Sequence, residues 1–287
     1  MGLFKISFKS SSTFVDSIKI SRAIIYAYNI LYPDNIGDLI DRVKTSSISF
    51  SDLLPYNNKV YYHFPYINNI GPIGENRKNM PKFIDFEKLR EIIAEYQKNG
   101  YTGIKYSGIN PDNDIKPHVL PISEPGINIF KSPIEEDNNY KYNDIFTKEL
   151  FFYRKSCFYI RNSDKKIQAA INLLNDFGIS GRRNTGKGQV SIEQINDDFN
   201  EGFKGEGLYI LLSSFIPHET SIKNIDFERS RYNIKIFQGK NINGKPIGPF
   251  RYFIPGTIFY LTDDIKGMSY IEDNSVMPFN PVIMKVL

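Results

Sequence analysis

Tryptophan is absent from the 287 residues, and cysteine occurs once, at Cys157. One cysteine excludes a disulfide within the chain and any metal cluster built on several thiolates. Cys157 lies in FFYRKSCFYI, where it reads as a small buried apolar residue. Histidine is scarce too. His63, His118 and His218 lie far apart, none with a metal-type neighbour, so a structural zinc site is not expected. No apolar run reaches the length of a signal peptide or a membrane span. The opening MGLFKI fails the myristoylation pattern, because Ile6 stands where Ser or Thr is required. The expectation is a cytoplasmic protein. An excess of one charge is also missing: 36 Lys and Arg against 32 Asp and Glu leave a net +4. That balance permits an anionic partner without demanding one, so a nucleic-acid role must rest on where the cations are placed.

Aromatic residues are plentiful, with 19 Tyr and 22 Phe, which suits sheet packing. LFKISFK alternates as a strand, with Phe4, Ile6 and Phe8 on one face, and the polar residues 10–13 end it. A helix follows with Ile20, Ile24, Ala27, Tyr28 and Leu31 on one stripe, stopped by Pro33. Residues 46–70 read as brief strands between turns. PKFIDFEKLREIIAEYQKNG reads as a second helix, with Phe86, Leu89, Ile92, Ile93 and Tyr96 on its stripe. Residues 101–148, rich in Gly, Pro, Asn and Asp, read as an irregular surface excursion. FFYRKSCFYI is expected as one strand, KIQAAINLLNDFG as a helix and QVSIEQI as a strand. The order β–α–(β-rich, with an inserted helix)–β–α–β is that of a ferredoxin-like, RRM-type α+β domain with insertions. This places one domain at 1–198. Beyond the polar stretch NDDFNEGFKGEG, residues 206–287 are mostly β, including a hairpin turning at Asn243-Gly244, and read as a degenerate second copy.

The segment 178–190, GISGRRNTGKGQV, carries the chemistry. It looks like a P-loop, G-x-x-x-x-G-K-[ST], with Gly188 where the hydroxyl residue belongs. A P-loop follows a strand and opens a helix, whose N-terminus then binds phosphate. Here the order is helix, loop, strand, so nucleotide hydrolysis is excluded on both counts. The loop suits a different phosphate. Gly178, Gly181, Gly186 and Gly188 allow positive φ and close approach of a ligand, and successive N–H groups in such a turn form an anion nest. Arg182, Arg183 and Lys187 add three cations with no acid among them, and Ser180 and Thr185 add hydroxyls.

A basic glycine-rich loop between the last helix and last strand of a ferredoxin-like domain resembles that of the RAMP proteins of CRISPR effector complexes. GISGRRNTGKGQVSI resembles in particular the G-[IL]-G-G-[KR]-[RK]-[ST]-x-G-x-G-x-[FV] loop of the fourth subunit of the type III-A Csm complex, with Ser180 and Asn184 departing from it. ILLSSFIP (210–217), FSDLLPY (50–56) and PGTIFYL (255–261) resemble further segments of that subunit. KPHVLPI (116–122) resembles its N-H-V-x-[IL]-D-R segment without the Asp-Arg pair. The resemblance implies a non-enzymatic scaffold of two RRM-like domains. Such a scaffold binds the 5′ handle of the guide RNA, docks on the large polymerase-like signature subunit and contacts the adjacent backbone subunit, without a cofactor. Carried over to this chain, it implies an RNA site of Gly181, Arg182, Arg183, Thr185, Gly186, Lys187 and Gly188, together with Lys9, Ser10, Ser11 and Lys19.

Two enzymatic readings stand beside it. A RAMP-type endoribonuclease that processes guide precursors without metal needs a general base and acid, for which His63, His118 and His218 are the candidates. In such nucleases the glycine loop tends to lie near the C-terminus, whereas about a hundred residues follow it here. A metal-dependent enzyme would draw on Glu135-Glu136, Asp197-Asp198 or Asp263-Asp264. These pairs lie in polar, turn-like stretches and read as solvated loop charge.

Overall fold

The computed structural model describes residues 2–67, 81–99, 116–126, 144–179, 186–195, 202–240, 246–272 and 275–287. Strand β1 (Gly2–Phe8) leads into helix α1 (Ser17–Leu31). Asp16 caps α1 by accepting the Lys19 N–H at 2.9 Å, and Ile20, Ile24, Ala27 and Tyr28 are buried along its stripe. The helix stops before Pro33. One 3₁₀ turn later a helix not anticipated from the sequence, α2 (Ile36–Lys44), buries Leu39 and Val43. Short strands β2 (Ser49–Phe50), β3 (Leu54–Pro55) and β4 (Tyr61–His63) follow, then β5 (Phe83–Asp85) and helix α3 (Phe86–Asn99).

Three expectations need correction. The helix expected from Pro81 starts only at Phe86. Residues Phe83–Asp85 pair with Tyr61–His63 as a strand, and the Asp85 carboxylate then accepts the Lys88 N–H at 3.0 Å, opening the helix at that point. The excursion expected to be irregular contains a long two-stranded arm, β6 (His118–Gly126) and β7 (Asp144–Phe152). FFYRKSCFYI is two strands, because β7 ends at Phe152 and β8 (Ser156–Arg161) begins in a different sheet. Phe151 pairs with Ser12 at the base of the arm, and the turn at 153–155 redirects the chain, held by Tyr56 N–H donating to Lys155 O at 3.0 Å. Helix α4 (Lys165–Phe177) and strand β9 (Val190–Ile195) complete this part in the expected order.

The first sheet runs β2-β8-β1-β9, with every pair antiparallel. In the second part β10 (Gly207–Leu211), β11 (Ile225–Arg231), β14 (Ile258–Leu261) and β17 (Ile283–Lys285) form a sheet ordered β11-β14-β10-β17. Setting aside β3, which also pairs with β8 in the first sheet, both orders read second, third, first, fourth. The hairpin β12 (Ile234–Lys240) and β13 (Pro246–Phe253) forms as expected, although its Asn243-Gly244 turn lies outside the described residues. A second hairpin, β15 (Met268–Glu272) and β16 (Ser275–Phe279), leans on α1 and α2.

The layers follow from which side chains are apolar. On one face of the first sheet Phe4, Ile6, Phe158, Ile160, Val190 and Ile192 pack under α1 and α4. On the other, Leu3, Cys157 and Tyr159 meet Leu208, Ile210, Ile258 and Met284 of the second sheet, with Leu89, Ile92 and Ile93 of α3. The two sheets therefore lie against each other, and the first five residues of β8 are buried because that strand is covered on both sides.

Polar groups lock this junction. The Asp52 carboxylate accepts the Ser17 N–H at 2.8 Å, the Ser17 hydroxyl accepts the Ser214 N–H at 3.0 Å, and the Asp52 N–H donates to Leu212 O at 2.8 Å. Asn280 is buried, donating to Val43 O at 2.7 Å and Ile48 O at 3.1 Å while the Ser46 hydroxyl donates to its carbonyl at 3.0 Å. Burial, and then the neighbouring Asp16 charge, push the Asp52 carboxyl from the ordinary 3.8 up to about 7. The folded protein thus holds this proton to near neutrality, whereas the unfolded chain releases it near the ordinary value. The stability the group contributes is present in acid and is lost as pH rises through about 7. Asp52→Asn keeps the acceptor for Ser17 and removes the titration. The variant should be more stable than the parent at pH 8, by at least about 2 kcal/mol, with the difference shrinking as pH falls from about 7 towards 4. Thermal melts across that range measure it.

Candidate functional site

The glycine loop is anchored at both stems. Helix α4 ends at Gly178, with φ 75° and ψ 174°, a region essentially reserved for glycine. Its N–H donates to Leu174 O at 2.7 Å, and the next residue, Ile179, closes the loop by donating to Gly188 O at 2.8 Å. The returning strand is then laced to the segment after β1. Gly188 N–H donates to Ser11 O at 2.8 Å, Gln189 N–H to the Ser10 hydroxyl at 3.0 Å, and Lys9 N–H to Gln189 O at 2.8 Å. The buried Ser12 hydroxyl reaches Ile179 O at 3.5 Å.

The structure thus brings together Ser10, Ser11 and Gly188, with exposed Lys9 in the same segment. Gly186 is exposed at φ 71°, and Lys187 stands half-buried beside it. Gly181, Arg182, Arg183 and Thr185, with Ser180 and Asn184, lie outside the described residues. Lys19 is turned towards the preceding loop, its ammonium donating to Phe14 O and reaching the Thr13 hydroxyl at 3.4 Å. Burial lowers its pKa, against the opposing pull of Asp16.

Sequence reading passed over an aromatic series beside these stems. Phe8 stacks on Tyr153 at 4.7 Å, Tyr153 on Phe151 at 5.8 Å, and Phe151 meets Phe14 at 5.5 Å with the rings tilted by 59°. The Tyr153 hydroxyl accepts the Val15 N–H at 2.7 Å, which fixes the loop carrying Phe14. The signal for the series was the aromatic run FFY, read only as strand.

The three histidines occupy three settings. His63, in β4, packs on Phe83, and burial lowers its pKa to about 4. His218 caps the one-turn helix Glu219–Ile222 through Thr220. His118 is exposed at the start of β6, opposite Phe152. Asp263 and Asp264 accept the N–H groups of Asp264 and Ile265, so that pair caps a turn. The other two acid pairs fall outside the described residues. Among the described residues no three His, Cys, Asp or Glu side chains gather as a metal site needs, and no described helix is long and apolar enough to cross a membrane.

This geometry limits what the protein can do with a polyanion. An open RRM sheet stacks bases on exposed aromatics. Here Tyr159 is fully buried between the sheets, so that face is closed to a ligand. At the β9 edge, where the stem of the glycine loop meets residues 9–12, Lys9 and Gly186 are exposed.

No family model matches the chain. The CRISPR system Cms protein Csm4 of Methanocaldococcus jannaschii is 36% identical over 72 residues, which is 22% of this chain and 19% of that protein. A chain in the crystal structure of the Csm3-Csm4 subcomplex of the type III-A CRISPR-Cas interference complex shares the fold with a TM-score of 0.62, at 18% identity over 99% of each chain. A chain of the Csm1-Csm4 cassette in complex with pppApA does so with a TM-score of 0.59, at 11% identity over 100% of this chain and 98% of that one. By likeness over its whole length the chain thus falls beside one structural class, the chains of the Csm3-Csm4 and Csm1-Csm4 assemblies. The chain is Csm4-like: it resembles a chain of each of those assemblies in fold over its whole length, and Csm4 in sequence over 72 residues.

Proposed function

We propose that this protein is a non-catalytic, cytoplasmic scaffold subunit of a type III-A CRISPR-Cas effector complex, and that it holds the 5′ handle of the guide RNA. We read the two sheets as two ferredoxin-like domains, at 1–198 and 206–287, which their shared strand order supports. The observation that carries the RNA reading is the stem geometry: a basic glycine loop closed by Ile179 and Gly188 and bonded to Ser10 and Ser11 at a sheet edge. A backbone phosphate there would meet N–H groups, hydroxyls and the cations Lys9, Arg182, Arg183 and Lys187. The assemblies of its structural relatives, with Csm3 and with Csm1, support docking on an adjacent backbone subunit and on the large polymerase-like subunit.

The test is RNA binding followed over salt from about 50 to 200 mM. Replacing Arg182, Arg183 and Lys187 together with Ala should weaken binding of a repeat-derived single strand and flatten the log–log slope by about 2, at roughly 0.7 per lost phosphate contact. An unchanged slope would sink the loop assignment. The nuclease reading keeps one observation, the exposed His118 one residue along from the Ser12–Phe151 bridge. Cleavage of repeat RNA by the purified protein, abolished by His118→Ala, would decide for it.

A further inference from the structure

Phe14 is an exposed aromatic that the fold has immobilised. It is 49% exposed, in a loop where most apolar neighbours are buried: Val15, next to it, is 2% exposed. Three contacts fix that loop. Val15 N–H is held by the Tyr153 hydroxyl at 2.7 Å, Phe14 O accepts from the Lys19 ammonium, and Lys19 N–H is held by Asp16 at 2.9 Å. The ring rests on Phe151, which continues through Tyr153 to Phe8 at the end of β1. Ordering an exposed phenyl ring in water yields little unless a ligand covers it.

Its position indicates the ligand. Ser11, three residues before Phe14, accepts the Gly188 N–H at the stem of the glycine loop, and Ser12 both reaches Ile179 O and pairs with Phe151. The ring therefore stands on the segment bonded to the stem of the glycine loop, with Lys9 exposed on the same segment. The nearest acid in sequence, Asp16, is turned inward to cap α1. An exposed lysine and a loop of basic sequence joined to the segment of a rigid aromatic suit single-stranded nucleic acid, the backbone following the charge and a base lying on the ring.

We propose that Phe14 is a stacking platform for one nucleobase of the RNA strand whose backbone lies in the glycine loop, with Phe151 and Tyr153 as its support. The proposal rests on the RNA-binding function set out above and adds to it a base position. Stacking tolerates any base, so Phe14 contributes affinity and register with little choice of sequence.

The lack of tryptophan gives a clean probe, because Phe14→Trp places the only indole in the chain there. Single-stranded RNA should quench its fluorescence, whereas polyphosphate should leave the emission unchanged. Phe14→Ala should melt like the parent and bind the same RNA about tenfold more weakly with an unaltered salt slope, and Phe14→Tyr should restore the affinity. Equal affinity in Phe14→Ala together with an unquenched Trp overturns the platform while leaving the RNA function standing. If Phe14→Ala keeps RNA affinity but loses assembly with a partner subunit, the ring is a protein contact and the proposal falls. Absence of RNA binding by the parent chain overturns both.

Discussion

Gly178→Ala should destabilise the protein by on the order of 3 kcal/mol and cut RNA affinity at least tenfold. Two independent costs add. At φ 75° and ψ 174° a side chain is strained by about 1–3 kcal/mol. A Cβ at this position would also lie 2.4 Å from Gly188 O and 3.0 Å from Gly188 C, both backbone atoms that cannot swing aside. Relief requires the loop stem to open. That breaks the Ile179 N–H to Gly188 O bond and displaces Gly188 from Ser11, at about 1 kcal/mol for each bond. Gly186 is the built-in comparison. Its φ is 71°, but a Cβ there meets nothing within 4 Å, so Gly186→Ala should cost only about 1 kcal/mol. Denaturant melts and RNA titrations on the pair separate the effect of the crossing point from that of backbone strain. Equal effects in the two variants would show that the close approach at Gly178 does not govern the loop.

Asn280→Ala is the second substitution expected to act strongly, and it should do so without touching the loop. Its side chain amide feeds two buried carbonyls, Val43 O and Ile48 O, and its carbonyl accepts from Ser46. Truncation leaves Ile48 O buried without this donor, at about 1–3 kcal/mol, and empties a buried site, while Val43 O keeps the Ser46 N–H and the Ser269 hydroxyl, each at 3.2 Å. A loss near 3 kcal/mol should lower the melting temperature by roughly 6–12 °C for a chain of this size. Because Val43 and Ile48 flank the end of α2 while Asn280 belongs to the second sheet's last connection, the loss should appear as one cooperative transition at lower temperature. Two separated transitions would show that the halves melt independently and that the junction is not a shared core.

The sequence made legible those parts whose pattern is local. β1, α1, α4 and β9 followed from period and caps, and the helix–loop–strand order ruled out a P-loop reading. The β12–β13 hairpin followed from Asn-Gly. What escaped depended on distant partners. Phe83–Asp85 reads as the approach to a helix until Tyr61–His63 lies beside it. FFYRKSCFYI reads as one strand because nothing local marks that Phe151 and Cys157 belong to different sheets. Ile36, Leu39, Ile40 and Val43 carry helical spacing, but nine residues after a proline gave little to read. The facing of the two sheets was hidden as well, although the unbroken apolar run of β8 was its trace. Of the site, the glycines and cations were visible as composition, while the Phe14 series emerges only when 8, 14, 151 and 153 are close in space. The short segments FSDLLPY, ILLSSFIP and PGTIFYL look unrelated along the chain. In three dimensions Asp52 bonds Leu212, and Leu211 bonds both Thr257 and Gly256, so their joint presence reflects one junction.

The shared strand order of the two sheets has a consequence for how much each half tolerates change. In both, the fourth strand is an edge, entered by a connection from the third-strand side. In the first half that connection carries the glycine loop, whose described feet are tied to residues 9–12. In the second the connection carries the β15–β16 hairpin and ends in the short stretch 280–282, with Asn280 and Val282 buried and the Ser213 hydroxyl accepting the Val282 N–H at 2.9 Å. The same corner of one strand order is thus an open loop stem in the first sheet and a buried clasp in the second. The buried clasp is fixed by what it fastens, so substitutions at Asn280 or Val282 should cost more than one at the exposed foot Gly186.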